Sequence, residues 1–91
     1  MLTIIWAGWY KSSTSDKLWG VLRREDGAYY NFWCKRGARM QFKLVANDKY
    51  RHKADKGYKQ IDLITLDSIY PGFMEEANNQ LIFGILAGTV R

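Results

Sequence analysis

Trp33 and Lys35, two residues apart in NFWCKRGARMQF (residues 31–42), are the side chains best suited to hold a ligand. Alternate residues of an extended strand share a face, so the indole and the ammonium point the same way and Cys34 points the other. A flat apolar ring can stack on a base or sugar that is not buried in a duplex. Lys and Arg replace the counterions condensed on phosphates. Arg36 and Arg39 extend the charge past the strand, and Gly37 lets the backbone turn or approach a partner closely. Composition alone equally permits a plainer reading, with Trp33 in the core and the bases as a solvated rim.

Other chemistries find little support. One Cys and one His, 18 residues apart, cannot build a Cys/His zinc cage, so no metal and no cofactor are expected. His52 lies among bases and reads as a solvated or phosphate-facing residue rather than a general base. Cys34 sits on an apolar strand face and reads as a small buried hydrophobe rather than a nucleophile. There is no Gly-rich phosphate loop of Walker or dinucleotide type. Asp and Glu are scattered without a suggestive pair. The chain is expected to be no enzyme.

Charge is concentrated. The 91 residues carry a net charge of +5. Residues 35–59 hold nine Lys and Arg against Asp48 and Asp55, whereas the rest of the chain is slightly acidic. Such a block suggests an anionic partner, nucleic acid first and DNA ahead of RNA. Phosphate contacts are expected from Lys35, Arg36, Arg39 and Lys43, and from Lys49, Lys53 and Lys56 along one side of a helix.

The elements that must position these residues belong to one small α+β domain. An aromatic share of 15% favours β-structure. Strands are expected at Leu2–Lys11, at KLWGVLRR and at YYNFWCK, forming an antiparallel meander. Asp26-Gly27 makes a hairpin turn between the second and third strands. In the second strand Trp19 and Val21 share one face, Leu18 and Leu22 the other. In the third, Tyr29, Asn31, Trp33 and Lys35 oppose Tyr30, Phe32 and Cys34. The spacing of Ala46, Tyr50 and Ala54 predicts a helix over 44–56, stopped by Gly57. YKQIDLITL reads as a fourth strand. Phe73, Ala77, Leu81 and Ile85 recur every four residues, predicting a second helix with Pro71 at its first turn; the alternative for its last part is a turn and a strand. The expected architecture is therefore a twisted sheet of about four strands, a helix packed on it and a C-terminal helix or strand.

At Trp33-Cys34-Lys35-Arg36-Gly37 the chain resembles the WGR domain family, named for a Trp-Gly-Arg run often extended to Trp-Gly-Arg-x-Gly. Trp33 and Gly37 match; Cys34 stands for the central Gly and Lys35 for the Arg. Phe42 and KADKGYKQI (53–61) add to the likeness, which covers about residues 3–66 and leaves 67–91 as an extension. The resemblance implies a small antiparallel sheet with a packed helix. It also implies DNA binding, with Trp33 stacking on a sugar and Lys35 supporting backbone contacts. Stand-alone members occur in bacteria and phages.

Two roles follow as expectations. One is a nucleic-acid-binding accessory protein using the basic block and Trp33. The other is a protein-interaction module, such as a phage-encoded modulator docking on an acidic surface of a host protein. The single Cys and the lack of a basic run before the first apolar residues suggest a cytoplasmic setting, in the nucleoid or in a host cell. The apolar run LIFGILAGTV is about half the length of a membrane span, so no membrane partner is expected. It would complete the core or make a homodimer contact.

Overall fold

The computed structural model describes residues 1–83. It is an α+β fold built on one antiparallel sheet of five strands in the order β4-β3-β2-β1-β5. The meander is β1 (Leu2–Lys11), β2 (Asp16–Arg24) and β3 (Tyr29–Lys35), extended by β4 (Gln41–Val45). The hairpin after β2 turns at Gly27, with a φ of 90° that favours glycine. There the Arg24 N–H donates to the Ala28 carbonyl at 2.8 Å.

The two faces of the sheet have different coverings. The inner face carries Leu18, Leu22, Phe32 and Cys34 and is closed by α2 (Leu63–Ile69), α3 (Phe73–Asn78) and a π-helical turn (Asn79–Phe83). Phe73 is the centre of this layer. It is fully buried, its ring centroid lying 4.7 Å from Phe32 and 6.1 Å from Phe42. Gly20 makes room for the Phe32 ring. A Cβ at Gly20 would collide with that ring and come within 2.6 Å of the Trp6 carbonyl oxygen. The outer face carries a second, smaller cluster of Trp6, Trp19, Val21 and Tyr58.

One strand serves both clusters through a bulge. The register of β1 against β2 slips between Ile4 and Trp6. An extra residue reverses the alternation. Leu2 and Ile4 before the slip, and Ala7 and Trp9 after it, all join the inner cluster, while Ile5 and Trp6 both join the outer one.

Three expectations need correction. First, residues 44–56 do not form one helix. Phe42 pairs with Phe32 and Leu44 with Tyr30, which makes residues 41–45 a strand. Only Arg51–Asp55 is helical (α1), and none of its residues is buried. Ala46 and Ala54 are exposed. A short helix with no buried stripe has little to stabilise it alone, so strand pairing decides the first half of the segment. Gly57 does end α1, with a φ of 101°. The Gly57 N–H donates to the Ala54 carbonyl and the Tyr58 N–H to the Lys53 carbonyl, which is a Schellman closure.

Second, YKQIDLITL is mostly not a strand. Only Lys59–Gln60 (β5) pairs with β1. Asp62 then caps α2, its carboxylate accepting from the Thr65 N–H at 2.8 Å. That bond holds the Asp62 carboxyl below its usual range. The cap turned an apolar run that reads as strand into helix. Third, Pro71 precedes the second helix rather than lying in its first turn; Gly72 is the N-cap. Phe73, Ala77 and Leu81 are buried at the expected spacing. The helical path through Phe83 replaces the turn-and-strand alternative for residues 79–83, and Ile85 and the rest of the apolar tail lie outside the described residues.

Candidate nucleic-acid interface

The outer face owes its shape to the chain between β4 and β5, which folds back across the sheet. Aromatic contacts pin it there. The Tyr50 ring stacks on Trp6 at 5.1 Å and 10°, and His52 meets Trp19 edge-on at 5.4 Å. Beyond α1, Tyr58 is buried against the sheet and lies 5.4 Å from Tyr10. The Lys53 ammonium sits over both the Trp19 and the Tyr58 rings, at 5.5 and 5.4 Å. A basic helix with no core of its own is thereby fixed over an aromatic floor.

An open cleft of about 380 Å³ results, with Trp19, Trp33 and Tyr58 supplying rings and Lys17, Lys35 and Lys53 supplying charge. Trp33 is half-buried and Trp19 almost fully buried, so Trp33 is the indole with surface left to offer. A second concavity of about 390 Å³ lies alongside, formed by Tyr10, Ser15 and Lys56 together with Lys17, Lys53 and Tyr58. Among the described residues, no Asp or Glu lines either one.

The electrostatics of this face are unbalanced. Lys17 and Lys35 are direct cross-strand partners between β2 and β3. Like charges placed opposite one another on a sheet are destabilising. Burial, and then the nearby Lys56 and Lys17 charges, push the Lys53 ammonium below its ordinary pKa. Asp16, next to Lys17 in sequence, is engaged elsewhere. It accepts from the Trp9 indole N–H at 2.7 Å and pairs with Arg36 at 3.3 Å. Positive charge is therefore concentrated over aromatic rings, with no acid among the described residues lining either cleft.

Of the residues expected at a binding site, the fold brings Trp33, Lys35, Lys53 and Lys56 together here. Others go elsewhere. Arg36 lies over the Trp9 ring at 5.8 Å, on the side of Asp16, and Arg39 is 3.8 Å from Glu76 of α3. Gly37 has a φ of 83°, as a turn needs, but lines a small concavity against Tyr70 and Pro71. Lys49 lines a separate one with Asp48 and Tyr50. Lys43 is exposed on β4, opposite Asn31, and lines neither cleft. Lys49, Lys53 and Lys56 do not form one helix side, because α1 starts only at Arg51. Lys17, Trp19, Tyr10 and Tyr58 were not singled out from the sequence. The only signal for Lys17 was its place two residues before Trp19 on the same strand face.

Cys34 is buried on the inner face, and burial followed by the Glu76 charge pushes its thiol pKa up. It should therefore resist a thiol-specific reagent at neutral pH, reacting roughly a hundredfold slower than in denaturant. Ellman's reagent, with and without guanidinium, measures the ratio. Among the described residues no group of three or more His, Cys, Asp or Glu could hold a metal, and no helix is long and apolar enough to cross a membrane.

No family model matches the chain, and no curated protein or solved structure matches it either. None of these comparisons identifies a WGR domain.

Proposed function

We propose that this protein binds nucleic acid, DNA ahead of RNA, through the outer face of its sheet, without catalysing a reaction. One observation carries the reading: an acid-free cleft joins the half-buried Trp33 ring to Lys17, Lys35 and Lys53. Stacking on an aromatic side chain tolerates any base, and ammonium groups neutralise any phosphate, so binding is weakly selective for sequence and strongly dependent on salt. On this reading Lys35 contributes charge rather than the two-pronged contact an Arg would make. Arg36 and Arg39 contribute less than their position beside Trp33 suggests, because each faces a carboxylate away from the cleft.

A tryptophan-fluorescence titration with a short oligonucleotide at several salt concentrations tests the proposal. Saturable binding that weakens linearly in log–log form with salt supports it. No saturable binding at low salt overturns it. Lys35→Glu should weaken binding more than Arg39→Glu or Lys11→Glu.

Lys53 offers a further check with a definite sign. Its pKa is depressed in the folded chain, so its charge opposes folding at pH values below that pKa. The opposition is relieved as pH rises through the folded pKa toward the unfolded one. Lys53→Met keeps the stem on Trp19 and Tyr58 but loses the ammonium over both rings, which offsets the relief of charge crowding. The melting temperature at pH 7 should therefore change little, while oligonucleotide binding weakens severalfold. Differential scanning calorimetry and the same titration read the two effects.

A further inference from the structure

The two concavities of the outer face are neighbours that share a wall. Lys17, Lys53 and Tyr58 line both. On one side of this ridge lies the Trp33 ring, on the other the Tyr10 ring. The ridge is held up by its own contacts: Lys17 over Tyr10 at 5.5 Å and Lys53 over Tyr58 at 5.4 Å. Each cleft falls within the range of about 300–1,000 Å³ typical of small-ligand sites. The order across the face is thus aromatic cleft, cationic ridge, aromatic cleft.

We infer that this face receives one dinucleotide step of a single strand: a base against Trp33, the phosphodiester on Lys17 and Lys53, and the next base against Tyr10. The inference rests on the nucleic-acid reading above and makes it more specific. The order of groups along a strand, base, phosphate, base, matches the order across the face. A duplex cannot supply it, because its adjacent bases are stacked on each other and paired, whereas here a ridge must pass between them. Only the phosphodiester is charged, and the ridge is where Lys53 stands among the like charges of Lys17 and Lys56, with Lys35 opposite Lys17. An anion there relieves that crowding. Ser15 at the rim of the Tyr10 cleft adds a hydroxyl that can meet a polar edge.

The intact chain would be titrated with a twelve-residue oligothymidylate, a twelve-base-pair duplex, the dinucleotide TpT, its uncharged methylphosphonate analogue, and inorganic phosphate. The single strand is expected to bind at least about tenfold tighter than the duplex. TpT should bind measurably, and its methylphosphonate analogue and inorganic phosphate much more weakly. Trp33→Phe and Tyr10→Phe should preserve the preference for single strand, whereas Trp33→Ala and Tyr10→Leu should each reduce it. Lys17→Gln, at a half-exposed position, should lower the magnitude of the salt slope for single strand by about 0.7. Equal affinity for duplex and single strand overturns the dinucleotide inference and leaves the nucleic-acid reading standing. Equal binding of TpT and its uncharged analogue also overturns it. Binding of neither single strand nor duplex overturns both.

Discussion

Trp33→Ala should weaken oligonucleotide binding by about tenfold to a hundredfold. Base–aromatic stacking contributes about 1–3 kcal/mol per base, and tenfold corresponds to about 1.4 kcal/mol. Trp33 is the indole of the outer cleft that retains exposed surface; Trp6 and Trp19 are buried under Tyr50, His52 and Lys53. Its removal subtracts a stacking platform without subtracting charge. The intercept of the salt plot should therefore fall while its slope stays the same. Trp33→Phe, which keeps a ring, should recover most of the affinity. Loss of slope rather than intercept would show that Trp33 holds the lysines in place instead of touching ligand. Because Trp33 only flanks the outer cluster, a modest fall in melting temperature is expected alongside.

Phe73→Ala should have the largest effect on stability. Truncating a buried Phe typically costs about 3–5 kcal/mol. A domain of this length has a total stability on the order of 5–14 kcal/mol. Phe73 is fully buried and touches Phe32 of β3, Phe42 of β4 and Tyr70 at the end of α2, so it ties the sheet to both helices. Few other side chains could refill the space, because Phe32 is already lodged over Gly20. At roughly 4–8 °C per kcal/mol, the melting temperature should fall by at least about 12 °C. Circular dichroism during a thermal melt measures it. A fall under about 4 °C would mean that the helical layer is not docked on the sheet as described. Phe73→Leu should lose much less.

The sheet was legible where alternation was clean. Trp19 and Val21 against Leu18 and Leu22, and Tyr29 and Trp33 against Phe32 and Cys34, separate onto opposite faces as their parity requires. The segment after Gly37 was not. Ala46, Tyr50 and Ala54 have helical spacing, yet Phe42 and Leu44 find strand partners in β3, which no local pattern reveals. Ile61–Leu66 has strand composition, yet one carboxylate at Asp62 starts a helix within it. The candidate site was half legible for the same reason. Trp33 and Lys35 are neighbours on one strand, so their sequence sets their geometry. Lys17 and Tyr10 join them through the register of the meander, which pairs Lys35 with Lys17 and Lys17 with Tyr10. Tyr58 and Lys53 join them only because residues 50–58 fold back over the outer face, a non-local event that brings Tyr50 onto Trp6.

The slip in β1 has an evolutionary consequence. Residues 2–4 and 7–11 follow the same two-residue rule in opposite phase, so the strand already contains the equivalent of a single-codon insertion. Deleting Ile5 would restore an unbroken rhythm: Leu2 and Ile4 would still face inward with Ala7 and Trp9, and the pairing with β2 would run on without a slip. The loss would be confined to the place of Ile5 beside the outer cluster. Deleting a paired residue such as Thr3 or Gly8 would instead put one end of the strand out of phase with the two clusters. Descendants of this chain should therefore tolerate a one-residue loss at Ile5, as in the turn at residues 12–15, and keep a constant count elsewhere between Leu2 and Trp9.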